Sequence, residues 1–364
     1  MLGGVHEFLH GTDWNVQTFE FGGKPFPVSD LIRFWSPAGC IVEGSGNGIT
    51  PRIIPFADFG KTPVVYLGCD STITPSHATC VIHDAQETAN AAARELLLRK
   101  DVRQFAFVGL RGHVWSHRRQ KAFVQALRLN GKSVVTTELP SRQDTNELKR
   151  WLYMLEKPCG LLAADDVIAA TVLAIARISG IAVPEELAVV GVDDNESICT
   201  RTEPSLTSVR PNFRQGGRFA ARLLVRKILK AKNIPDKSIF AISGIARRGS
   251  TRITVRADAD VAAALERIHA PDGARLTPKD VLGGFACSRR NAEYRFRRAT
   301  GRSVLEEIME VRMCLAKDLL TETDMPISAV VEHCGYRSSA QFIRVFRQVC
   351  GITPLKWRKN QLVP

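Results

Sequence analysis

The sequence predicts an α/β domain built on a parallel sheet, followed by a smaller all-α domain. Up to about residue 240, short apolar runs of strand length alternate with longer amphipathic stretches of helical length. This alternation is typical of a parallel sheet covered by helices on both faces. Towards the C-terminus the apolar residues recur at helical spacing instead. The chain of 364 residues is also longer than the roughly 250–300 residues at which single cores stop growing.

The elements of the α/β part can be placed from these apolar runs. The predicted strands are residues 39–43, 64–69, 104–110, 160–164 and 187–192. The predicted helices are residues 85–99, 117–130, 145–156, 167–179 and 213–231. No glycine-rich phosphate loop follows any of these strands, so the sequence indicates no nucleotide and no other cofactor.

Polar residues follow three of the predicted strands, and ligands of such folds bind beyond these strand ends. Arg118 lies after the run 104–110, Asp165 directly after 160–164, and Asp193 directly after 187–192. Carboxylates and an arginine that converge there can hydrogen-bond several hydroxyl groups in fixed directions, as a sugar requires. An alternative stays open, because acidic residues after a strand often cap the next helix.

The stretch 326–350 predicts a helix-turn-helix. Pro326 fits the first turn of a helix, Gly335 fits its end, and Ser338 fits the N-cap of a second helix. The two apolar faces are formed by Ile327, Val330, Val331 and Cys334, and by Phe342, Val345 and Phe346. The second helix of such a unit can enter the major groove of DNA.

A looser copy of the same unit precedes it at residues 277–301. Its predicted helices are 277–285 and 288–300, and the glycine pair 283–284 within the first is expected to weaken it, since glycine costs about 1 kcal/mol relative to alanine. Six arginines around the second helix favour phosphate contact: Arg289, Arg290, Arg295, Arg297, Arg298 and Arg302. Residues 303–321 predict a linking helix of roughly 27 Å, a scale that can place both units in successive grooves about 34 Å apart.

The composition indicates a cytoplasmic protein, and the charge favours a polyanionic partner such as DNA or an anionic membrane, although a basic surplus alone also fits a solvated surface. The formal net charge is +13, and residues 271–364 alone carry 16 Lys and Arg against 10 Asp and Glu. This surplus favours a polyanionic partner. The nine cysteines include no C-x-x-C pair, which argues against a disulfide framework or a metal site. No apolar run is long enough to cross a bilayer, and no signal-peptide pattern is present, so no membrane association is expected.

The run PISAVVEHCGYRSSAQFIRVFRQVCGITPLKWR, residues 326–358, closely resembles the C-terminal signature of AraC/XylS-type transcription regulators. The resemblance implies that an outward face of each second helix contacts DNA. In the first unit these residues are Ser288, Arg289, Arg290, Asn291, Glu293, Tyr294 and Arg298. In the second unit they are Ser338, Ser339, Ala340, Gln341 and Arg344.

The runs FAFVG, GLLAADD, ELAVVGVDDNE and PSLTSVRPN resemble the core of LacI/GalR-type sugar-sensing domains. That family has a periplasmic-binding-protein-like fold of two α/β lobes with a ligand cleft between them. The resemblance implies that Arg118, Asp165 and Asp193 contact the effector, with Asn212 and Phe213 as further candidates. The N-terminal 21 residues resemble the second half of the first helix and the second strand of that fold, so its first strand is expected to be missing.

Together these features predict a ligand-sensing domain at residues 1–245, a linker and connecting helix at 246–270, and a DNA-binding domain at 271–364. The order of the two halves implies a non-enzymatic regulator of carbohydrate use that binds promoter DNA and responds to xylose or another pentose. RNA polymerase and a second copy of the chain are the further partners implied. Two alternatives stay open: a sugar-binding protein without a regulatory role, and a DNA-repair fusion in which a cysteine such as Cys287 accepts a methyl group.

Overall fold

The computed structural model describes residues 1–19, 28–43, 59–68, 78–142, 145–252, 258–270, 272–323 and 325–362. Over these residues, an N-terminal domain with two sheets precedes an all-α C-terminal domain, as the sequence predicts. Within the same ranges, no helix has the length and the apolar composition that crossing a membrane requires.

The first lobe of the N-terminal domain is a parallel sheet with the strand order β1-β2-β3-β9. Its strands are β1 (Cys40–Glu43), β2 (Val64–Leu67), β3 (Thr79–His83) and β9 (Lys237–Phe240). Its helices are α1 (Leu2–Leu9), α2 (Val28–Trp35) and α8 (Phe213–Ile228). The apolar face of α8 packs on β2, β3 and β9, and α1 packs against the outside of α8.

The N-terminal segment agrees with the sequence prediction in part. The expected helix is present as α1, but residues 11–19 form no strand, and residues 20–27 lie outside the described part. Glycines let α1 approach α8 closely, because a side chain at Gly4 would collide with the Arg214 carbonyl and one at Gly217 with the Met1 carbonyl.

The second lobe is a larger sheet with the order β10-β8-β7-β6-β4-β5, parallel except for the pairing of β10 with β8. Its strands are β4 (Gln104–Leu110), β5 (Val134–Leu139), β6 (Cys159–Ala163), β7 (Leu187–Val192), β8 (Thr207–Pro211) and β10 (Ile242–Ala246). Its helices are α3 (Ala85–Leu97), α4 (Val114–Arg128), α5 (Thr145–Met154), α6 (Asp166–Ile178) and the short α7 (Glu196–Cys199). Strands β4, β6 and β7 are almost wholly buried, which explains why their sequences are continuously apolar. Strand β5 at the sheet edge is half-exposed and has no such run.

Three backbone segments pass between the lobes, at Asp84, Asn212 and Ala241. The backbone N–H of Asp84 donates to the Phe240 carbonyl at 2.9 Å, and that of Asn212 donates to the Ala241 carbonyl at 3.0 Å. We call these three segments the hinge. Two lobes joined by three adjacent crossing segments can change their mutual angle without either sheet breaking.

The connector divides between the two domains, which corrects the predicted boundary at residue 245 and the linker at 246–270. The N-terminal domain continues to Arg252, since Ser250 is buried and its hydroxyl donates to the Val189 carbonyl at 2.6 Å. The helix α9 (Ala259–His269) is instead part of the C-terminal core, where Val261, Leu265 and Ile268 form the predicted apolar face. Segments at both ends of the connector are therefore anchored by packing.

The first helix-turn-helix unit consists of α10 (Pro278–Leu282) and α11 (Arg289–Thr300), packed on α9 and on the first half of α12 (Val304–Glu322). Thr277 and Asp280 form a reciprocal capping box at the start of α10. The helix ends at Leu282, so the glycine pair 283–284 follows it, and the expected weakening by glycine inside a helix is wrong. Phe296 of α11 is fully buried in the core of this unit.

The second unit consists of α13 (Ile327–His333) and α14 (Ser339–Cys350), closed by α15 (Pro354–Leu362). Gly335 has φ = 70° in the turn between α13 and α14, a conformation that glycine adopts without strain. Both predicted apolar faces are confirmed: Val330, Val331, Cys334, Phe342, Val345 and Phe346 are buried, and Ile327 packs against them.

Candidate effector cleft and DNA-binding surface

The polar strand ends of the second lobe do converge, around the indole of Trp115 at the start of α4. The Arg119 guanidinium lies 5.1 Å and that of Arg142 lies 5.8 Å from the centroid of this ring. Arg119 Nη2 is 3.3 Å from Asp193 Oδ1, and Arg142 Nη2 is 2.7 Å from Asp165 Oδ2. Two arginine–aspartate pairs therefore share one aromatic platform beyond the ends of β4, β6 and β7.

Asp165 both caps a helix and contributes a carboxylate oxygen to the cluster at the strand ends, the two alternatives that the sequence left open. It is buried, and its Oδ1 accepts a hydrogen bond from the Ile168 backbone N–H at 2.8 Å as the N-cap of α6. Its other oxygen, Oδ2, accepts from Arg142 Nε at 2.8 Å. Asp193 caps no helix and has φ = 115°, a left-handed backbone that turns its carboxylate towards Arg119. Asn195 is the residue that caps α7.

The guanidinium that pairs with Asp193 belongs to Arg119, the residue after the predicted Arg118. Helical spacing is the signal that would have found it, because Ser116, Arg119 and Phe123 lie on the buried face of α4 while Arg118 is only half-buried. An effector contact by Arg118 itself stays a prediction. Trp115 and Arg142 were also missed, since neither lies directly at the end of an apolar strand.

Asn212 and Phe213 lie at the hinge. Asn212 is buried and caps α8, its Oδ1 accepting from the Gln215 backbone N–H at 2.9 Å. The Phe213 ring packs against Phe240 with the ring centroids 6.1 Å apart. The His83 ring also packs against Phe240, with the ring centroids 5.2 Å apart. Sequence reasoning missed His83.

Electrostatics connect the two sides of this region. Removal from solvent raises the pKa of the Asp193 carboxyl, with the charge of Arg119 opposing that rise and the charge of Asp165 adding to it. Burial holds the pKa of His83 well below its ordinary value, and the positive charge of Arg119 lowers it further. His83 of the first lobe thus lies within the electrostatic reach of Arg119 of the second, as expected for a cleft between lobes.

The predicted DNA-contacting residues lie on the outer faces of α11 and α14 and on their N-caps. Ser288, Arg289, Arg290, Asn291, Tyr294, Arg298, Ser338, Ser339, Ala340, Gln341 and Arg344 are all exposed. Ser288 and Ser338 also cap their helices, each accepting a backbone N–H at 3.4 Å. An exposed row of arginine, amide and hydroxyl groups offers both phosphate and base-edge contacts.

Three charged residues of the first unit have partners inside the protein. Arg295 pairs with Asp258 and Asp260 of the α9 segment, and Arg302 Nη1 is 3.4 Å from Glu310. Glu293 is half-buried, and its Oε1 accepts the Val304 backbone N–H at 3.3 Å. The set of six arginines expected to contact phosphates therefore narrows to Arg289, Arg290, Arg297 and Arg298. A DNA contact by Glu293 stays a prediction.

Both domains match known families. Residues 94–251 match a periplasmic binding protein-like domain, and residues 283–360 match a helix-turn-helix domain. The xylose operon regulatory protein of Haemophilus influenzae is 33% identical over 287 residues, which cover 75% of this chain and 74% of that relative. The protein of the same name from Escherichia coli K12 is 30% identical over 370 aligned positions, which cover 98% of this chain and 92% of the relative.

Solved structures support the same architecture. A xylose-binding transcription activator has a TM-score of 0.55 at 24% identity and covers 98% of this chain and 93% of its own. A complex of the transcriptional regulator CelR with cellobiose has a TM-score of 0.55 at 23% identity over 68% of this chain and 77% of its own. At these identities the likeness shows the fold.

The fold and the two helix-turn-helix units define an AraC-type transcription regulator with a periplasmic-binding-protein-like sensor. Within this class, the chain belongs to the family of the xylose operon regulatory proteins. It is a DNA-binding regulator, and the N-terminal domain is hereafter called the sensor and the C-terminal domain the reader.

Proposed function

We propose that the sensor binds D-xylose between its lobes and that the resulting closure changes how the reader meets promoter DNA. The observation that supports this most directly is the pair of arginine–aspartate contacts on Trp115, Arg119 with Asp193 and Arg142 with Asp165. The names of the relatives supply the choice of sugar.

The chemistry of these pairs suits a neutral polyol. Carboxylate oxygens accept hydrogen bonds from sugar hydroxyls, and guanidinium N–H groups donate to them, so each pair offers both functions at one place. Because each aspartate is already matched by an arginine, the cleft carries little unbalanced charge. A neutral sugar then replaces water without leaving a buried ion unpaired.

Sugar-dependent thermal unfolding tests the proposal. D-xylose is expected to raise the unfolding temperature, with a stabilisation that grows as RT ln(1 + [L]/Kd), while D-glucose and D-ribose at equal concentration raise it less. Asp193→Asn is expected to abolish the xylose-induced shift. Asp194→Asn is the matched control, because Asp194 pairs with Arg210 at 2.6 Å and not with Arg119. Its own unfolding temperature changes, but the shift on adding xylose remains.

Either of two results contradicts the proposal. An unchanged xylose shift in Asp193→Asn means that this carboxylate is not part of the sugar site. A larger shift with a different sugar, lost in the same variant, keeps the cleft and replaces xylose as the effector.

The protein is also proposed to act in the cytoplasm as a homodimer, to contact RNA polymerase at the promoter, and to catalyse no reaction. An exposed apolar strip on α5 and α6 supports the dimer, since Met154 is 76% and Ile178 is 79% exposed. Sedimentation equilibrium of the full chain tests it. Ile178→Glu is expected to shift a dimer towards monomer, and a wild-type chain that sediments as a monomer at micromolar concentration contradicts it.

A further inference from the structure

The helix α12, which joins the two helix-turn-helix units, lies across the hinge of the sensor and contacts both lobes. Its first half packs beside the second lobe, its middle lies on the hinge, and its last turn reaches the first lobe. The 19-residue helix therefore has two roles: it contacts both lobes of the sensor, and it sets the spacing of the two DNA-binding units.

A buried ion cluster holds the first half of α12 to the second lobe. Arg252 Nη2 of the sensor is 2.9 Å from Glu307 Oε1 of α12, and both side chains are at least nine-tenths buried. Arg247 Nε donates to Glu95 Oε2 of α3 at 2.6 Å, and its Nη2 lies 3.8 Å from Glu310 Oε1 of α12. His269 Nε2 of the reader meets the same Glu307 oxygen at 2.9 Å.

The cluster is electrostatically strong. Burial alone would raise the pKa of Glu307, but the His269 hydrogen bond and the charges of Arg247 and Arg252 outweigh it and hold that pKa well below its ordinary value. Removing one member of a buried ion pair leaves the other uncompensated, which makes such contacts costly to break.

The middle of α12 touches the hinge itself. Lys317 Nζ lies 3.5 Å from Glu87 Oε1 of α3, and the other oxygen of Glu87 accepts the Ile242 backbone N–H at 3.0 Å. Ile242 directly follows the third crossing segment. Cys314 lies so close to Gly244 of β10 that any side chain at Gly244 would collide with its sulfur.

The last turn of α12 is bound to the first lobe. Arg218 Nη1 of α8 donates to the Thr321 carbonyl at 2.6 Å. The same arginine pairs with Glu7 of α1 at 3.4 Å, so the contact is anchored in two helices of that lobe. Glu307 and Thr321 are 14 residues apart in one helix, which corresponds to about 21 Å of a rigid rod.

Two atoms of the cluster have no hydrogen-bond partner among the described residues, namely Arg247 Nη1 and Glu307 Oε2. Each such buried polar atom costs about 1–3 kcal/mol. A shift of α12 that gives either atom a partner would offset part of this cost.

We propose that α12 is the element that reports the angle between the lobes to the DNA-binding units, with Arg252 and Arg218 as the residues that position it. A rigid helix held by both lobes cannot keep both sets of contacts when the lobes rotate about the hinge. Closure on the sugar therefore shifts α12 relative to one lobe and changes how the two units it connects are presented to DNA. The inference rests on the proposed sugar response.

The test compares operator binding of the full-length protein with and without D-xylose, on a fragment selected from random DNA by the protein itself. Coupling between two sites is typically about 5–150-fold in affinity, and the wild type is expected to show a ratio in this range. Glu307→Gln breaks the contact with the second lobe, and Arg218→Gln the contact with the first. Both are expected to reduce the ratio to less than about two-fold while operator binding itself persists.

Each variant has a matched control. Glu266→Gln makes the same change at an exposed position of α9, and Arg214→Gln removes a 56% exposed arginine of α8 that also pairs with Glu7. Both controls are expected to keep the wild-type ratio. A purely structural role of Glu307 or Arg218 would lower stability but leave the ratio unchanged, and that result overturns the proposal.

Amide hydrogen exchange of α12 separates failure of this inference from failure of the sugar assignment. Without sugar, the amides of residues 304–322 are expected to exchange at least about tenfold faster in Glu307→Gln than in Glu266→Gln, because a released helix loses protection. If D-xylose does not change the operator affinity of the control variants but this difference in exchange is present, the sugar assignment fails and the docking of α12 on the sensor stands. Equal exchange in both proteins overturns the docking role.

Discussion

At the scale of single residues, Asp166 is a buried carboxyl with an unusual proton affinity. Its Oδ1 accepts the Ser208 hydroxyl at 2.6 Å and its Oδ2 the Asn195 backbone N–H at 2.7 Å. Burial nevertheless raises its pKa to about 7, since these hydrogen bonds only partly offset the loss of solvent. Asp166 directly follows Asp165 in the sequence, so this titrating carboxyl is next to a residue of the candidate effector cleft.

Asp166 is expected to make stability depend on pH. Because its pKa is higher in the folded protein than in the unfolded chain, its stabilising contribution is complete below about pH 4 and is lost as the pH rises through about 7. Between these limits the slope is at most about 1.4 kcal/mol per pH unit. Urea unfolding at pH 5, 6, 7 and 8 should show a flatter profile for Asp166→Asn than for the wild type. The exposed Asp272→Asn should keep the wild-type profile, and an unchanged profile in Asp166→Asn would refute the assignment.

Arg344 is the residue expected to discriminate between DNA sequences. It is exposed on the outer face of α14, where a guanidinium can meet a guanine edge. Arg344→Ala is expected to weaken operator binding by about 1–3 kcal/mol and to affect random DNA much less. Arg337→Ala, in the exposed turn before α14, should weaken both DNAs alike. Equal losses on operator and random DNA for Arg344→Ala would exclude a base contact.

At the scale of elements, the second helix-turn-helix is held by an aromatic core. Phe346 of α14 is fully buried, with its ring 5.7 Å from that of Phe342 and 5.7 Å from that of Trp357 on α15. This contact fixes the angle of α14 and therefore the direction of its outer face. The one tryptophan of the reader thus reports on the packing of its recognition helix.

Phe346→Ala is expected to destabilise this unit by about 3–5 kcal/mol, because it leaves a cavity that the surrounding helices cannot close. The measurement is urea unfolding followed by the fluorescence of Trp357, with the other four tryptophans replaced by phenylalanine. Val349→Ala, at a 57% exposed position of the same helix, should change stability by no more than about 0.5 kcal/mol. Similar costs for the two variants would mean that the aromatic core does not stabilise α14.

At the scale of the whole molecule, the charge of +13 raises the question of whether DNA affinity comes from net charge or from local contacts. Local contacts predict that the salt dependence of binding falls by about one counterion for each phosphate contact removed. Arg298→Ala in the reader is therefore expected to flatten the plot of log affinity against log salt concentration. Arg128→Ala changes net charge equally at an exposed site of the sensor and should leave the slope unchanged. Equal effects would favour a general electrostatic attraction.

Elements that are buried on a regular pattern could be predicted from the amino-acid sequence alone. The continuous apolar runs gave β4 and β7 at their observed bounds, and the 3.6-residue spacing gave both faces of the second helix-turn-helix. The sequence also predicted the order of sensor and reader, and it correctly placed Asp165 and Asp193 just after the ends of β6 and β7. Burial imposes these patterns locally, so they can be read without knowing what lies opposite.

Contacts between residues that are distant in sequence could be identified only from the folded structure. Four arginines illustrate this, because each pairs with a carboxylate that lies 8 to 74 positions away in sequence: Arg119, Arg142, Arg295 and Arg302. The same holds for α12, whose sequence predicts a linking helix and gives no sign that it lies on the hinge. An ion pair leaves no periodic trace in either partner, because its geometry is fixed only when the two distant segments have packed.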